Sequence, residues 1–79
     1  MRKMVPVRSG KVREALGIRR AELAYEAGMQ PGMIAWIETG RFVPYESQLE
    51  KIAAVFRKHG WAGELSTLLD EVHVTGEEG

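Results

Sequence analysis

The sequence predicts an all-α fold, organised as a compact domain of five helices. Apolar residues recur at spacings of three and four along five short segments, which is the pattern of amphipathic helices. Nothing in the sequence requires a sheet. At 79 residues the chain is long enough for one domain with a modest core. Four of the five segments are followed by a glycine, a residue often found just after a helix: Gly17, Gly28, Gly40 and Gly60.

The first two helices are predicted at 9–16 and at Arg20–Ala27. Ser9 suits the N-cap position because its hydroxyl can accept a hydrogen bond from a free backbone N–H of the first turn. Gly28 follows the second segment, and glycine readily adopts the left-handed conformation that a tight turn needs. We therefore expect two short helices, the second of which ends in a turn.

The third helix is predicted at 31–39, with Gln30 as its N-cap. Pro31 suits the first helical position because its backbone angle is already helical and it has no N–H to leave unpaired. Gly40 is the expected stop. The fourth helix is predicted at Glu46–Lys58, with an apolar stripe formed by Leu49, Ile52, Ala53 and Phe56.

The fifth helix is predicted at 62–72. Short segments with β propensity, 4–7 and 72–74, flank the helices. Either could form an arm, or the two could pair as a small ribbon, although Pro6 argues against a central strand. We assign 1–8 to an N-terminal arm, 9–72 to the domain and 73–79 to a flexible acidic tail. The stripe of the fifth helix comprises Leu65, Leu68, Leu69 and Val72.

Charge is distributed unevenly along the chain, although the formal net charge is zero. Residues 1–41 hold eight basic and four acidic side chains, and residues 42–79 hold three and seven. Such an asymmetry suggests one face for a polyanion and another for a different contact. The alternative is an ordinary solvated surface with uneven scatter.

Several classes of function are disfavoured by composition. The chain has no cysteine, which excludes disulfides and fits a reducing cytoplasm. No apolar run approaches the ~20 residues that span a bilayer, and the basic start lacks the apolar stretch of a signal peptide. His59 and His73 are far apart in sequence and have no clustered carboxylate or cysteine ligands, so no metal site or cofactor is expected. No nucleophile–base pattern or phosphate-binding loop is present, so we expect no enzyme.

The second and third helices form the most informative stretch. Ala24 is small enough for two helix backbones to approach closely, and Gly28 supplies the turn. Met29, Ile34 and Ile37 are spaced to pack the third helix onto the second. A helix pair held this way can project its second helix into the major groove of DNA.

This stretch resembles the lambda-repressor-like (Xre-type) helix-turn-helix domains. The match runs in register over about 12–56 and implies that fold, a role in sequence-specific DNA binding and transcriptional regulation, and an ion pair between Arg13 and Glu38. Arg19 departs from the Ser or Thr that usually caps helix 2 in the family. The residues that carry the resemblance are Ile18, Glu22-Leu23-Ala24, Gly28-Met29, Ile34, Ile37-Glu38-Thr39-Gly40-Arg41, Pro44, Leu49, Ile52-Ala53 and Phe56.

The resemblance also implies which residues would face DNA. Gln30 and Arg20 would make most polar contacts to bases, and Arg19, Thr39 and Arg41 would bind phosphates. The outer face of the third helix is poor in groups that hydrogen-bond to base edges, which departs from the family. The complete expected set is Arg19, Arg20, Gln30, Pro31, Gly32, Met33, Ala35, Trp36, Thr39 and Arg41.

Three questions have alternative answers from the sequence. Trp36 should lie on the outward face of the third helix, as a contact for DNA or protein, or it could fold back over the turn as extra core. A rival function is a protein-interaction module on the same fold, such as an antirepressor or adaptor, that docks through Met33 and Trp36. A homodimer is also expected, with part of the fifth helix either as core or as the interface formed by Trp61, Leu65, Leu68, Leu69 and Val72.

Overall fold

Four α-helices and one 3-10 helix form the protein in a computed structural model, which describes residues 6–72. The helices are α1 (Arg8–Ala15), α2 (Arg20–Ala27), α3 (Pro31–Glu38) and α4 (Glu46–Lys58). The 3-10 helix spans Leu65–Leu69. The expectation of an all-helical fold is confirmed over residues 6–72, where no strand forms.

The prediction of a fifth α-helix at 62–72 is wrong. The Thr67 N–H donates to the Glu64 carbonyl at 3.0 Å, which is the tighter spacing of a 3-10 helix. The Thr67 hydroxyl donates to the same carbonyl at 2.7 Å and so competes with longer-range helical bonding. Asp70 is extended, and Glu71 forms an isolated antiparallel bridge with Val7, which removes the last residues from any helix.

The start of α1 also differs from the prediction. Val7, not Ser9, occupies the N-cap position, in an extended conformation, and Ser9 lies buried inside the helix. The Arg8 N–H donates to the Asp70 carbonyl at 2.8 Å, and the Val72 N–H donates to the Pro6 carbonyl at 2.9 Å. Of the two alternatives for the flanking segments, pairing is therefore observed for residues 6–8 and 70–72. The rest of the expected arm, 1–5, and the expected tail, 73–79, lie outside the described residues.

The connection between α2 and α3 follows the local sequence. Gly28 adopts a left-handed conformation with φ 69°, and the Met29 N–H donates to the Ala24 carbonyl at 2.8 Å. Gln30 is the N-cap of α3 and Pro31 its first residue, as predicted. A short, defined turn therefore joins the two helices.

The core lies between the helices. α2 contacts both α3 and α4, and α1 contacts α3 and the 3-10 helix. None of the helices in the described part of the chain combines the length and apolar character that crossing a lipid bilayer requires. The largest fully buried side chains are those of Leu23, Ile34, Ile37, Ile52, Phe56 and Leu68.

Candidate functional site

The carboxylate of Glu38 lies buried at the C-terminal end of α3, with 5% of its side chain exposed. It accepts hydrogen bonds from Arg13 Nε at 2.6 Å and Arg13 Nη2 at 3.2 Å, which is a bidentate pairing. Arg20 Nε donates to it at 2.9 Å. The structure thus places Arg13 against Glu38, as the resemblance implied.

This cluster, formed by Arg13, Arg20 and Glu38, holds three helices together. Arg13 belongs to α1, Arg20 begins α2 and Glu38 ends α3. The Glu38 carbonyl also accepts the Val7 N–H at 3.0 Å, which ties the segment before α1 to the same point. Gly10 lies against Glu38, where a Cβ would come within 3.3 Å of its side chain. The orientation of α3 relative to α1 and α2 is therefore defined at its C-terminal end.

The inner and outer faces of α3 differ sharply in exposure. Ile34 and Ile37 are buried against the core, whereas Pro31 and Gly32 are exposed. Trp36 points outward with 51% of its surface exposed. Of the two alternatives for Trp36, the structure therefore places it on the outward face rather than in the core.

A shallow hollow of about 340 Å³ lies at the N-terminal half of this outer face. Gln30, Gly32, Met33 and Trp36 line it, so its walls are largely apolar and its one polar side chain is an amide. We call it the α3 hollow. Its four residues all belong to the set that the sequence nominated as DNA-facing.

The position of Met33 is supported from α4. Gln48 Nε2 lies 3.6 Å from the Met33 sulfur, and Gln48 Oε1 accepts the Tyr45 N–H at 2.9 Å. Gln48 was missed by the sequence reasoning. The signal that could have predicted it is its place three residues after the N-cap residue Tyr45, where a glutamine side chain often accepts the N-cap N–H.

The polar residues expected to face DNA differ in their exposure and in the contacts that they make within the protein. Arg19, the N-cap of α2, is exposed, whereas Arg20 is 48% exposed and bound to Glu38. Arg41 lies with its guanidinium carbon 5.7 Å from the centre of the Trp36 ring, at a distance typical of a cation–π contact. The Thr39 hydroxyl donates to the Ala35 carbonyl at 2.9 Å, which leaves its oxygen lone pairs as acceptors only.

The residues nominated for a dimer interface lie partly in the core. Leu68 is fully buried within the single chain and offers no surface to a partner. The Trp61 ring meets Phe56 edge to face, with ring centres 5.9 Å apart. Leu65 and Leu69 pack against the core but remain partly exposed, and Val72 is partly exposed beside the Pro6–Arg8 segment.

The fold brings together a group that the sequence did not reveal. Ligand atoms of Glu22, Glu26 and His59 lie within 4.8 Å of one another, which corrects the expectation that no carboxylate lies near His59. These groups could contribute to a cation site, but they also contact the protein. Glu26 Oε1 lies 3.5 Å from His59 Nε2 and 3.6 Å from Lys58 Nζ. Glu22 accepts the Arg19 N–H at 3.4 Å within the first turn of α2. The contacts of Glu26 with Lys58 and His59 join α2 to the C-terminal end of α4.

Comparisons with protein-family models, with curated proteins and with solved structures return no match for this chain.

Proposed function

We propose that the chain is a sequence-specific DNA-binding transcriptional regulator, in which α2 and α3 form a helix-turn-helix and α3 enters the major groove. The observation that carries the proposal is the free outer face of α3. Its inner face packs on the core and its C-terminal end is held by Glu38, so the helix is a rigid projection. The major groove is wide enough to admit one α-helix.

Two exposed arginines support the proposal, and one of them, Arg41, lies over the Trp36 ring on this face. Arg19 lies at the N-terminus of α2, where free backbone N–H groups also favour an anion, and Arg41 follows α3. Both are suited to phosphates of the DNA backbone. In this arrangement Gln30 supplies the main polar base contact. Arg20 makes a smaller contribution because Glu38 already accepts a hydrogen bond from its Nε.

A homodimer is part of the proposal. Helix-turn-helix regulators commonly place two recognition helices in successive major grooves about 34 Å apart. The partly exposed sides of Leu65 and Leu69, with Trp61 beside the core, are the surface we assign to the two-fold contact.

Fluorescence anisotropy with a labelled duplex tests the proposal. We use the DNA upstream of the protein's own gene and measure affinity over a series of salt concentrations. Affinity should fall by about 0.9 log units per log unit of salt for each phosphate neutralised. Arg41→Ala should weaken binding to all sequences alike and lower that slope by about 0.9, whereas Gln30→Ala should change the preference between sequences. Lys51→Ala is the control, because Lys51 is exposed on α4 in a separate groove beside Tyr25 and Lys58. Absence of salt-sensitive binding to any duplex contradicts the proposal.

A protein-interaction module is the second candidate, favoured by the apolar α3 hollow and the exposed Trp36. Such a module would dock on another protein through Met33 and Trp36. The chain has two tryptophans, so Trp61→Phe leaves Trp36 as the single reporter and keeps an aromatic ring against Phe56. A change in Trp36 fluorescence on adding duplex DNA supports the regulator. No change with DNA, together with a change on adding a protein partner, supports the module.

A further inference from the structure

The α3 hollow is largely apolar, whereas a surface that reads base edges commonly presents several hydrogen-bonding side chains. Met33 and Trp36 supply apolar walls, Gly32 leaves one side open, and Gln30 supplies the single amide. A Cβ added at Gly32 would meet nothing within 4 Å, so the space beside this residue is open. None of the described residues that line the hollow is acidic, and the Arg41 guanidinium lies over the ring of Trp36, which is one of its walls. A polyanion can therefore approach the hollow without meeting a negative charge in it.

Base pairs differ in what they would present to this surface. In the major groove, thymine exposes a C5-methyl group, and adenine exposes an N7 acceptor beside an N6 donor. Met33 and Trp36 can bury the methyl group, and the Gln30 amide can pair with both adenine atoms. A G·C pair offers two acceptors and one N4 donor but no methyl group. Against the apolar walls, polar atoms that reach neither the Gln30 amide nor the Trp36 indole N–H would lose water without gaining a partner.

The position of the apolar wall is set before DNA arrives. Gln48 contacts the Met33 sulfur at 3.6 Å and is itself held by the Tyr45 N–H, so the Met33 side chain is braced from α4. A braced wall loses less conformational freedom on binding than a free methionine would. This makes a methyl contact more favourable than the composition of the helix alone would suggest.

We propose that the α3 hollow receives the C5-methyl edge of thymine, so that the preferred DNA site places an A·T pair beneath Gln30 and Met33. This inference rests on the proposed function and names the base chemistry that the same surface reads. Apolar burial, rather than a set of hydrogen bonds, then provides a large part of the discrimination at that position.

The test begins with selection of bound sequences from a random duplex library by the full chain. In the best selected duplex, each thymine is then replaced in turn by uracil. Uracil keeps the O4 acceptor and the pairing with adenine and removes only the methyl group. One position beneath the hollow should lose roughly fourfold in affinity, because the complex no longer gains the free energy of burying one methyl group. Uracil at thymines outside the contacted site provides the baseline.

A variant then connects the effect to the hollow. Met33→Gln preserves the length of the side chain but replaces the apolar wall with an amide, so the loss of affinity on uracil substitution should shrink to near onefold. Lys51→Ala should retain the full effect. Thermal melting followed by circular dichroism verifies that Met33→Gln folds. If that variant does not fold, the uracil scan on the unaltered protein still decides the proposal.

The outcomes separate this inference from the proposed function. If no duplex is bound in a salt-sensitive way, the proposed function fails and the inference with it. If DNA is bound but no A·T position is selected, or if no thymine responds to loss of its methyl group, the inference alone is overturned. A methyl effect that persists in Met33→Gln also overturns it, because the methyl group then contacts another part of the protein.

Discussion

Glu38 lies where α1, α2 and α3 meet, and its buried carboxylate is shared by two arginines in different environments. Arg13 is itself 90% buried, since 10% of its side chain is exposed, and it also donates to the Ile18 carbonyl at 2.8 Å. Arg20 is about half exposed. A buried charge that loses its partner is strongly unfavourable, whereas a solvated one is not. The two arginines should therefore contribute unequally to stability.

Loss of the Glu38 carboxylate should destabilise the fold more than loss of Arg20. Glu38→Ala should lower the free energy of unfolding by about 3–5 kcal/mol, because it leaves the buried Arg13 guanidinium with only the exposed Glu14 carboxylate, 3.7 Å away, as a counter-charge. Arg20→Ala should lower it by only about 0–1 kcal/mol, because water already screens that pair. Urea denaturation followed by circular dichroism measures both.

A less disruptive change keeps the comparison measurable where Glu38→Ala is too unstable to fold. Glu38→Gln retains the shape and one acceptor oxygen and should fall between the two variants. Equal losses for Glu38→Ala and Arg20→Ala would show that Glu38 is stabilised by its surroundings rather than by the buried pair.

Two glycines, Gly32 and Gly63, differ in whether the surrounding packing leaves room for a side chain. Gly32 lies inside α3 with open space around its Cα, so its backbone freedom is lost on folding without any packing need. Gly63 lies in the connection before the 3-10 helix, where a Cβ would come within 2.5 Å of the Trp61 indole. Gly32 is therefore tolerated in α3 without being needed there, whereas Gly63 leaves room for the Trp61 ring.

Alanine at these two positions should therefore act in opposite directions. Gly32→Ala should raise the free energy of unfolding by about 0.5–1 kcal/mol, because alanine favours the helix and meets no neighbour. Gly63→Ala should lower it by about 1–3 kcal/mol through overpacking against Trp61. Thermal melts of the two variants beside the unaltered protein check both signs. A stabilised Gly63→Ala would mean that the indole can move aside without loss.

In the whole molecule, the two ends of the described chain meet at one point. The segment from Pro6 to Arg8 pairs with the segment from Asp70 to Val72, and Leu68 beside it is fully buried. This closes the core on the side where a regular fifth α-helix was expected. It leaves Leu65 and Leu69 with only part of their surface available to a second copy.

The proposed dimer can be tested through these half-buried leucines. The unaltered chain should sediment as a dimer at concentrations of tens of micromolar, and Leu65→Lys should sediment as a folded monomer, because a lysine at a two-fold axis places like charges together. Leu68→Ala is the contrasting variant and should lose about 2–5 kcal/mol of stability, since it opens a cavity in the core. Sedimentation velocity measures the oligomeric state of the unaltered chain and of Leu65→Lys. Urea denaturation measures the stability of Leu68→Ala. A chain that stays monomeric throughout contradicts the dimer.

For the candidate site, the sequence predicted the outward face of α3 and an outward Trp36, with the alternative that Trp36 folds back over the turn as extra core, and the structure decided between the two. The outward placements follow from the helical repeat, which places Ile34 and Ile37 inward and Trp36 between them on the other side. The role of Gln48 in bracing Met33 could not be predicted in this way. It depends on how α4 packs beside α3, and residues 15 apart in sequence carry no local signal of contact.

The sequence by itself determined the bounds of α2, α3 and α4 to within about a residue, because glycine turns, the proline at the start of α3 and apolar periodicity act over a few neighbouring residues. Only the tertiary structure decided the start of α1, the 3-10 helix in place of a fifth α-helix, and the sharing of Glu38 between two arginines. It also decided the meeting of Glu22, Glu26 and His59. These features arise where distant segments compete for the same backbone hydrogen bonds or charges, and that competition is settled by packing rather than by local propensity.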